Sequence, residues 1–468
     1  LQGDGLDAQQ SMQFRLADGG AKDIVIEIAN ADGKGSLKVE GQATADDPDI
    51  RLTADKIDLS YVIEMLGEVV ELSPTSTTEG QTPAKAKEDK PDPLKDLTGL
   101  ASMDLSLRGQ DGMLNAEGWV EVEDLVMPSQ INQLDARVDV ALTDTTASTT
   151  VRIADDEKTL FWTKTTVPIL QKNGEIAIDC DSLLHLRSMI PGVDFRKLSK
   201  QIPAIGKDLR GRASIDLKID GEACNPDLGL VAAMDTAVGA QGERVRVDVE
   251  LERHGDDLEM KTTVEQENQR IAQVGALLST RLTEALQALL REGKEVDMAN
   301  PDNWLDEFDI KLALQRTDIA RLVRMGEVTH PIEGTMGGGF RLYGTMERPE
   351  IQGGLVLAGG RVGEARMRQF TVALVPEDEG YSLDTILDFF DTGGLQVGGF
   401  LPLELRFDEA PDLSRAGLQI DIQGEGIPLA MAAGPTGLAE AEGTIRLQGE
   451  VTGTLENPTP KVSVSADD

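Results

Sequence analysis

Three histidines, two cysteines and one triple glycine are the residues of this sequence best suited to chemistry. His185, His254 and His330 stand in separate contexts, without the spacing that lets imidazoles share a metal. His185 is predicted on a short helix, as an ordinary surface or core residue. Gly337-Gly338-Gly339 has the look of a phosphate loop, but no Gly-Lys-Ser/Thr follows. Close backbone approach or a flat groove wall is the better account of it. The acidic runs Asp46-Asp47-Pro48-Asp49 and Glu377-Asp378-Glu379 lack calcium-loop spacing and read as solvated turns. No Gly-x-Ser-x-Gly and no Ser/His/Asp set stands out. Cys180 and Cys224 read as two small buried hydrophobes, with a disulfide open to them in an oxidising compartment. These residues predict no catalytic site, no metal and no cofactor, hence no enzyme.

The chemistry that recurs is apolar. The pattern Gly-x9-Gly occurs at Gly99/Gly109, Gly211/Gly221, Gly334/Gly344 and Gly443/Gly453, with starts 112, 123 and 109 residues apart. Three copies place a proline five residues on, so Gly221 with Pro226, Gly344 with Pro349 and Gly453 with Pro458 are predicted turns. Between the paired glycines, residues alternate in fixed phase. Met103, Leu105 and Leu107 share the glycine phase in the first copy, and Ile215, Leu217 and Ile219 in the second. Met336, Phe340 and Leu342 do so in the third, then Ile445, Leu447 and Val451 in the fourth. Period two means strands with one dry and one wet face.

The elements needed to position such a face follow from the rest of the chain. Alternation continues in Ile24/Ile26/Ile28, in Leu134 to Leu142, in Val245 to Leu251, in Leu401/Leu403/Leu405/Phe407 and in Leu418/Ile420/Ile422. Short turns such as Gln110-Asp111-Gly112 and His254-Gly255-Asp256 make neighbouring strands antiparallel. Short helices are predicted to open at Asp58, Asp181 and Thr317, each with a first-turn capping side chain. A longer helix is predicted over 266–292, where Ile271, Val274, Leu278, Leu282, Leu286 and Leu289 recur at helical spacing. Residues 73–98 read as a disordered insertion or linker, rich in Ser, Thr, Pro, Lys and Glu from 73 to 93. The predicted organisation is therefore a partial repeat unit over 1–72, that linker, units over 99–210, 211–333 and 334–442, and the start of a further unit over 443–468.

The chain has 468 residues and a formal net charge of −38. That balance argues against nucleic acid and against docking on anionic lipid surfaces. Only 3% of residues are aromatic, so the apolar face is aliphatic. No run approaches the ~18 apolar residues of a membrane span. The sequence opens and stops in mid-pattern, which reads as an internal piece of something longer.

The segment from Gly334 to Pro349, followed by Glu-Ile-Gln-Gly-Gly-Leu-Val-Leu, and its counterpart from Gly443 to Val464 resemble the repeats of the TamB/AsmA-like family. The helix openings before the glycine strands are similar too, and the resemblance runs from about residue 20 to the end. It implies a mainly β fold: an elongated antiparallel β-sheet trough, β-taco-like, with a few short helices. It implies a periplasmic location in a Gram-negative bacterium, with an inner-membrane anchor outside this segment. The function implied is non-enzymatic: conducting phospholipids along a hydrophobic groove between the two membranes, with acyl chains as the partner. The twelve apolar residues of the glycine strands named above would line that groove. The alternative implied by the same family is an assembly scaffold that partners an outer-membrane β-barrel. A secreted array of closed sandwich domains of about 100 residues is a third reading of the alternation.

Overall fold

The computed structural model describes residues 9–17, 20–29, 35–44, 47–59, 98–110, 112–126, 133–155, 158–172, 175–194, 210–238, 242–292, 294, 297, 300–320, 333–362, 365–390, 392–407, 410–429 and 443–467. The linker predicted over 73–98 therefore lies almost wholly outside them, as do His330 and most of the helices predicted at Asp58 and Thr317. Of these two helices, the described openings Asp58, Thr317 and Asp318 are corrected to strand ends, and Leu59 and Ile319–Ala320 are helical. Two compact units emerge, one of Leu1–Asp208 with Arg212–Leu228, the other of Leu209–Gly211 with Gly229–Asp468.

Unit 1 is a meander of β1 (Gln9–Ala17), β2 (Gly20–Ala29), β3 (Ser36–Thr44), β4 (Asp49–Asp58), β5 (Thr98–Gln110), β6 (Met113–Val126), β7 (Leu134–Leu142), β8 (Thr146–Asp155) and β9 (Lys158–Lys172). It continues through β11 (Leu183–Asp194) and β12 (Arg210–Glu222), while β10 (Glu175–Ile178) pairs with β9 in a side hairpin. Each strand pairs antiparallel with its successor, as hydrophobic alternation joined by short turns requires. The helix predicted at Asp181 is corrected. Asp181 and Ser182 lie in a turn, and His185 sits on strand β11, where Leu184, Leu186 and Ile190 obey period two.

β13 (Asn225–Val238) spans the boundary. Unit 2 then runs β14 (Glu243–His254), β15 (Asp257–Gln266), β16 (Gln269–Thr280), helix α1 (Leu282–Glu292), β17 (Leu305–Asp318), β18 (Thr335–Gly344) and β19 (Pro349–Ala358). The two-residue β20 (Arg361–Val362) precedes β21 (Ala365–Glu377), β22 (Gly380–Phe389), β23 (Gly394–Leu401), β24 (Ala416–Pro428), β25 (Thr444–Thr454) and β26 (Pro458–Asp467). The helix predicted over 266–292 is thus shortened to its last eleven residues. Residues 269–280 form β16 because Ala272, Val274, Ala276 and Leu278 also satisfy period two, with antiparallel partners on both sides. Leu403, Leu405 and Phe407 are corrected as well: β23 stops at Leu401 and the chain leaves the sheet there. Among the described residues α1 is the one helix of two turns or more, alongside a single 3-10 turn at Pro301–Asn303.

The expected fold class, a mainly antiparallel β trough, holds. Each unit is an open sheet rather than a closed sandwich. Every residue of β18 is half-buried on both faces, which a second covering layer would not allow. The sheet of unit 1 is curled. In unit 1 the Gln171 side chain on β9 donates to the carbonyl of Leu114 on β6 and accepts from its N–H, both at 2.7 Å. Three strand spacings in a flat sheet would separate those strands by ~14 Å.

Candidate ligand-binding face

Strand register turns the alternation into rows. In unit 1, Leu37 pairs with Ala54, Ala54 with Met103, Met103 with Val120, Val120 with Val138, and Val138 with Val151. Ile50, Leu107 and Ala116 align in a parallel row. In unit 2 one row crosses nine strands without a polar side chain: Val274, Leu312, Phe340, Gly353, Leu374, Leu383, Gly399, Ile420 and Val451. A second runs Met336, Leu357, Phe370, Leu387, Leu395, Gly424, Leu447 and Val464. Leu342 lies between Ile310 and Ile351 in a third.

All twelve predicted lining residues therefore sit on rows of the same phase within their unit, but not all are open. Met103 is 4% exposed, packed with Leu37, Ala54, Ile57, Leu59, Ala101 and Val122. In this structure it is a core residue. Ile445 and Leu447 lean on a second core of Met367, Leu387, Phe389 and Ile427. Leu105, Leu107, Leu217, Ile219, Met336, Phe340, Leu342 and Val451 are half-buried, and Ile215 is 37% exposed. Side chains cover part of the dry face and leave the rest to solvent.

The turns close one end of these rows. Gly344 pairs directly with Pro349 and Gly453 with Pro458. In both loops the threonine after the glycine accepts from a backbone N–H three residues on, Thr345 from Arg348 at 3.2 Å and Thr454 from Asn457 at 2.9 Å. Proline opens the next strand, a position where its missing N–H costs nothing in the ladder. Gly344 needs its φ of 116°, and a Cβ there would stand 2.4 Å from the Arg348 carbonyl oxygen. In the second copy the turn between Gly221 and Pro226 holds Cys224, which is bonded to Cys180 with Cα atoms 4.8 Å apart. The two cysteines are thus buried, as read, and also joined. The first copy has no proline after Gly109. The ring of Pro48 lies against Gly109 instead, leaving no room for a Cβ, and Gly109 N–H donates to the Pro48 carbonyl at 2.6 Å.

The triple glycine belongs to the same face. A Cβ on Gly338 would lie 2.2 Å from the Gly354 carbonyl oxygen, so close strand approach is the reason for it, as expected. Phe340 lays its ring over Gly353 in the neighbouring strand.

The opposite face carries the charge. Arg51 grips Asp104 with two bonds of 3.1 and 2.8 Å, and Arg341 grips Asp309 with two of 2.8 and 3.1 Å. Hydrogen bonds from Arg341 and Lys311 hold the Asp309 carboxyl below the usual carboxylate range, against a smaller opposing effect of burial. His185 Nδ1 lies 2.7 Å from Asp220 Oδ1, a surface pair. Among the described residues no group of three or more His, Cys, Asp or Glu side chains is placed to hold a metal ion. No helix among them is long and apolar enough to cross a membrane.

One end of the unit 2 face is covered. Arg253, buried in the dry phase, donates to Thr283 of α1 at 3.1 Å. Phe407 reaches the same end and meets Phe308 on β17 with ring centroids 5.8 Å apart. Alternation alone does not reveal this crossing, because an alternating run without a partner strand looks like any other strand. Comparison with protein-family models, with characterised proteins and with solved structures finds no match.

Proposed function

We propose that this chain conducts phospholipids through the periplasm of a Gram-negative bacterium, its dry face carrying the acyl chains between inner and outer membranes. The observation that supports the reading is the set of half-exposed, mostly apolar rows in each unit, with most of the charge on the other face. Burying such rows against hydrocarbon yields about 25 cal/mol per Å² without any directional contact. That suits a cargo that must move. Without the side strand β20, the unit 2 ladder from β14 to β26 has twelve strands, roughly 50 Å of sheet at ~4.8 Å per strand. The Cys180–Cys224 bond accords with an oxidising compartment such as the periplasm.

The test is direct. The chain, produced in a Gram-negative periplasm with a photo-reactive residue at Phe340 or at Arg341, should crosslink to phospholipid from the first position and not from the second. Phe340→Asp with Leu312→Asp should reduce co-purifying phospholipid at least tenfold while the protein stays folded. Equal labelling from both positions, or capture of an unfolded outer-membrane barrel in place of lipid, would sink the conduit and favour the assembly scaffold.

A further inference from the structure

The dry face of unit 1 is not aliphatic throughout. On β8, β9 and β11 four hydroxyls take the dry phase side by side: Thr149, Thr163, Thr165 and Ser188. Thr149 pairs with Thr165 and Thr163 with Ser188, and the island is bounded by apolar neighbours. Val138 and Val151 flank it on one side, Leu217 and Ile219 on the other, and Ala147 with Val167 along the strands. All four side chains are half-buried, and none makes a hydrogen bond to another described residue.

Resting on the lipid reading above, we propose that this island is a recognition station for the ester groups of diacyl lipids. Three considerations select that chemistry. Once hydrocarbon fills the face, each hydroxyl loses water, and a polar group stripped of water without a partner is disfavoured. Something in the cargo must therefore accept. A hydroxyl is a neutral donor, and the cations nearest in sequence, Lys164 and Arg187, take the opposite phase and face the wet side. Neutral acceptors are thus preferred to phosphate, which calls for Arg or Lys. Directly opposed side chains on adjacent strands have Cβ atoms ~5 Å apart. The two ester carbonyls of a diacyl lipid hang from adjacent glycerol carbons, so one pair of opposed hydroxyls serves both. Among the described residues of unit 2 there is no counterpart: Thr262 and Thr385 each stand between two valines.

The consequence is selectivity without charge. The face would prefer ester-linked diacyl lipid to an ether-linked analogue of identical chains and headgroup, and the difference would arise in unit 1. The experiment uses the full chain with a photo-reactive residue at Leu186, beside the island, or at Phe340 in unit 2. It is offered a diester phosphatidylcholine or its diether analogue. At Leu186 the diester should bind roughly 3- to 10-fold more tightly, the range of one or two net hydrogen bonds. At Phe340 the two should bind alike. The combined Thr149→Val, Thr163→Val, Thr165→Val and Ser188→Ala variant should abolish the preference at Leu186 and keep lipid binding. Its valines suit strands as well as threonine does.

Equal binding of the two lipids at Leu186, with both still captured at Phe340, overturns the station and leaves the conduit standing. Capture of neither lipid at either position overturns the conduit and the station together. The comparison on the unsubstituted chain decides the matter even if the combined variant fails to fold.

Discussion

The two units solve one problem with different materials. Unit 1 holds its strongest core around Ile57, Ala101 and Met103, pins a turn with a disulfide, and carries hydroxyls on its dry face. Unit 2 has no cysteine. Its core gathers on Met367 and Phe389, glycines notch its dry face, and Phe407 reaches over one end of it. The alternating code fixes only which face is dry. What fills, notches or decorates that face is free to differ, and so the same fold can carry separate functions along its length.

The largest expected effect probes whether the cores are separate. Phe389 is 1% exposed in the unit 2 core. Phe389→Ala should cost about 3–5 kcal/mol, by lost transfer free energy and the cavity left behind. Hydrogen exchange read strand by strand should accelerate in β21, β22 and β24 and stay unchanged in β4 to β6. Acceleration in both places would break the distinction between the units. Next comes the disulfide, which closes a loop across a sequence separation of 44. Cys180→Ser with Cys224→Ser should destabilise unit 1 by about 2–4 kcal/mol, with exchange rising in β11 and β12 while the unit 2 core keeps its protection. A fully protected β11 after this double change would show the staple to be redundant.

Much of this was legible in the residues. Gly-x9-Gly with alternating Ile215/Leu217/Ile219 or Phe340/Leu342 specifies a strand, its phase and, through Pro349 and Pro458, the turn that follows. Period alone did not separate strand from helix at 269–280, because Val274 and Leu278 are four apart and also an even number apart. Long-range pairing on both sides decided it, and pairing is not written in a local window. Asp181-Ser182 has the chemistry of a helix cap, yet both serve a turn held by Asp179: its carboxylate accepts from Ser182 Oγ at 2.6 Å and from the Asp181 N–H at 3.3 Å. The threonines of β8 and β9 looked merely β-prone. Their shared phase with Val138 and Leu217 appears only once register joins five strands.

A smaller effect tests the crossing segment. Phe407 is 53% exposed and meets the buried Phe308 on one side only. Phe407→Ala should cost about 1 kcal/mol, the range of a single aromatic pair. Its sharper readout is access: a photo-reactive residue at Leu278, which pairs with Phe308, should label lipid more strongly in the variant. Unchanged labelling would mean that Phe407 does not screen that end.

The smallest effect compares the charged faces. Asp309 in unit 2 is 22% exposed and held by both Arg341 and Lys311, whereas Asp104 in unit 1 is 37% exposed and held, among the described residues, by Arg51. In both, the arginine hydrogen bond is the main cause that lowers the carboxyl pKa. A carboxylate whose folded pKa is depressed contributes stability that is complete above its unfolded value, near 3.8, and is lost as pH falls through the folded value. Both pairs therefore act at neutral pH and fade in acid, with solvent screening keeping each weak. Asp309→Asn should lower unit 2 stability by at most about 1 kcal/mol at pH 7 and by nothing once the native carboxyl is protonated. Asp104→Asn should produce a smaller change that disappears in high salt. If Asp104→Asn proves the more harmful at pH 7, partner number does not govern these ladders, and the curl of unit 1 must be bringing Arg51 a tighter hold than exposure suggests.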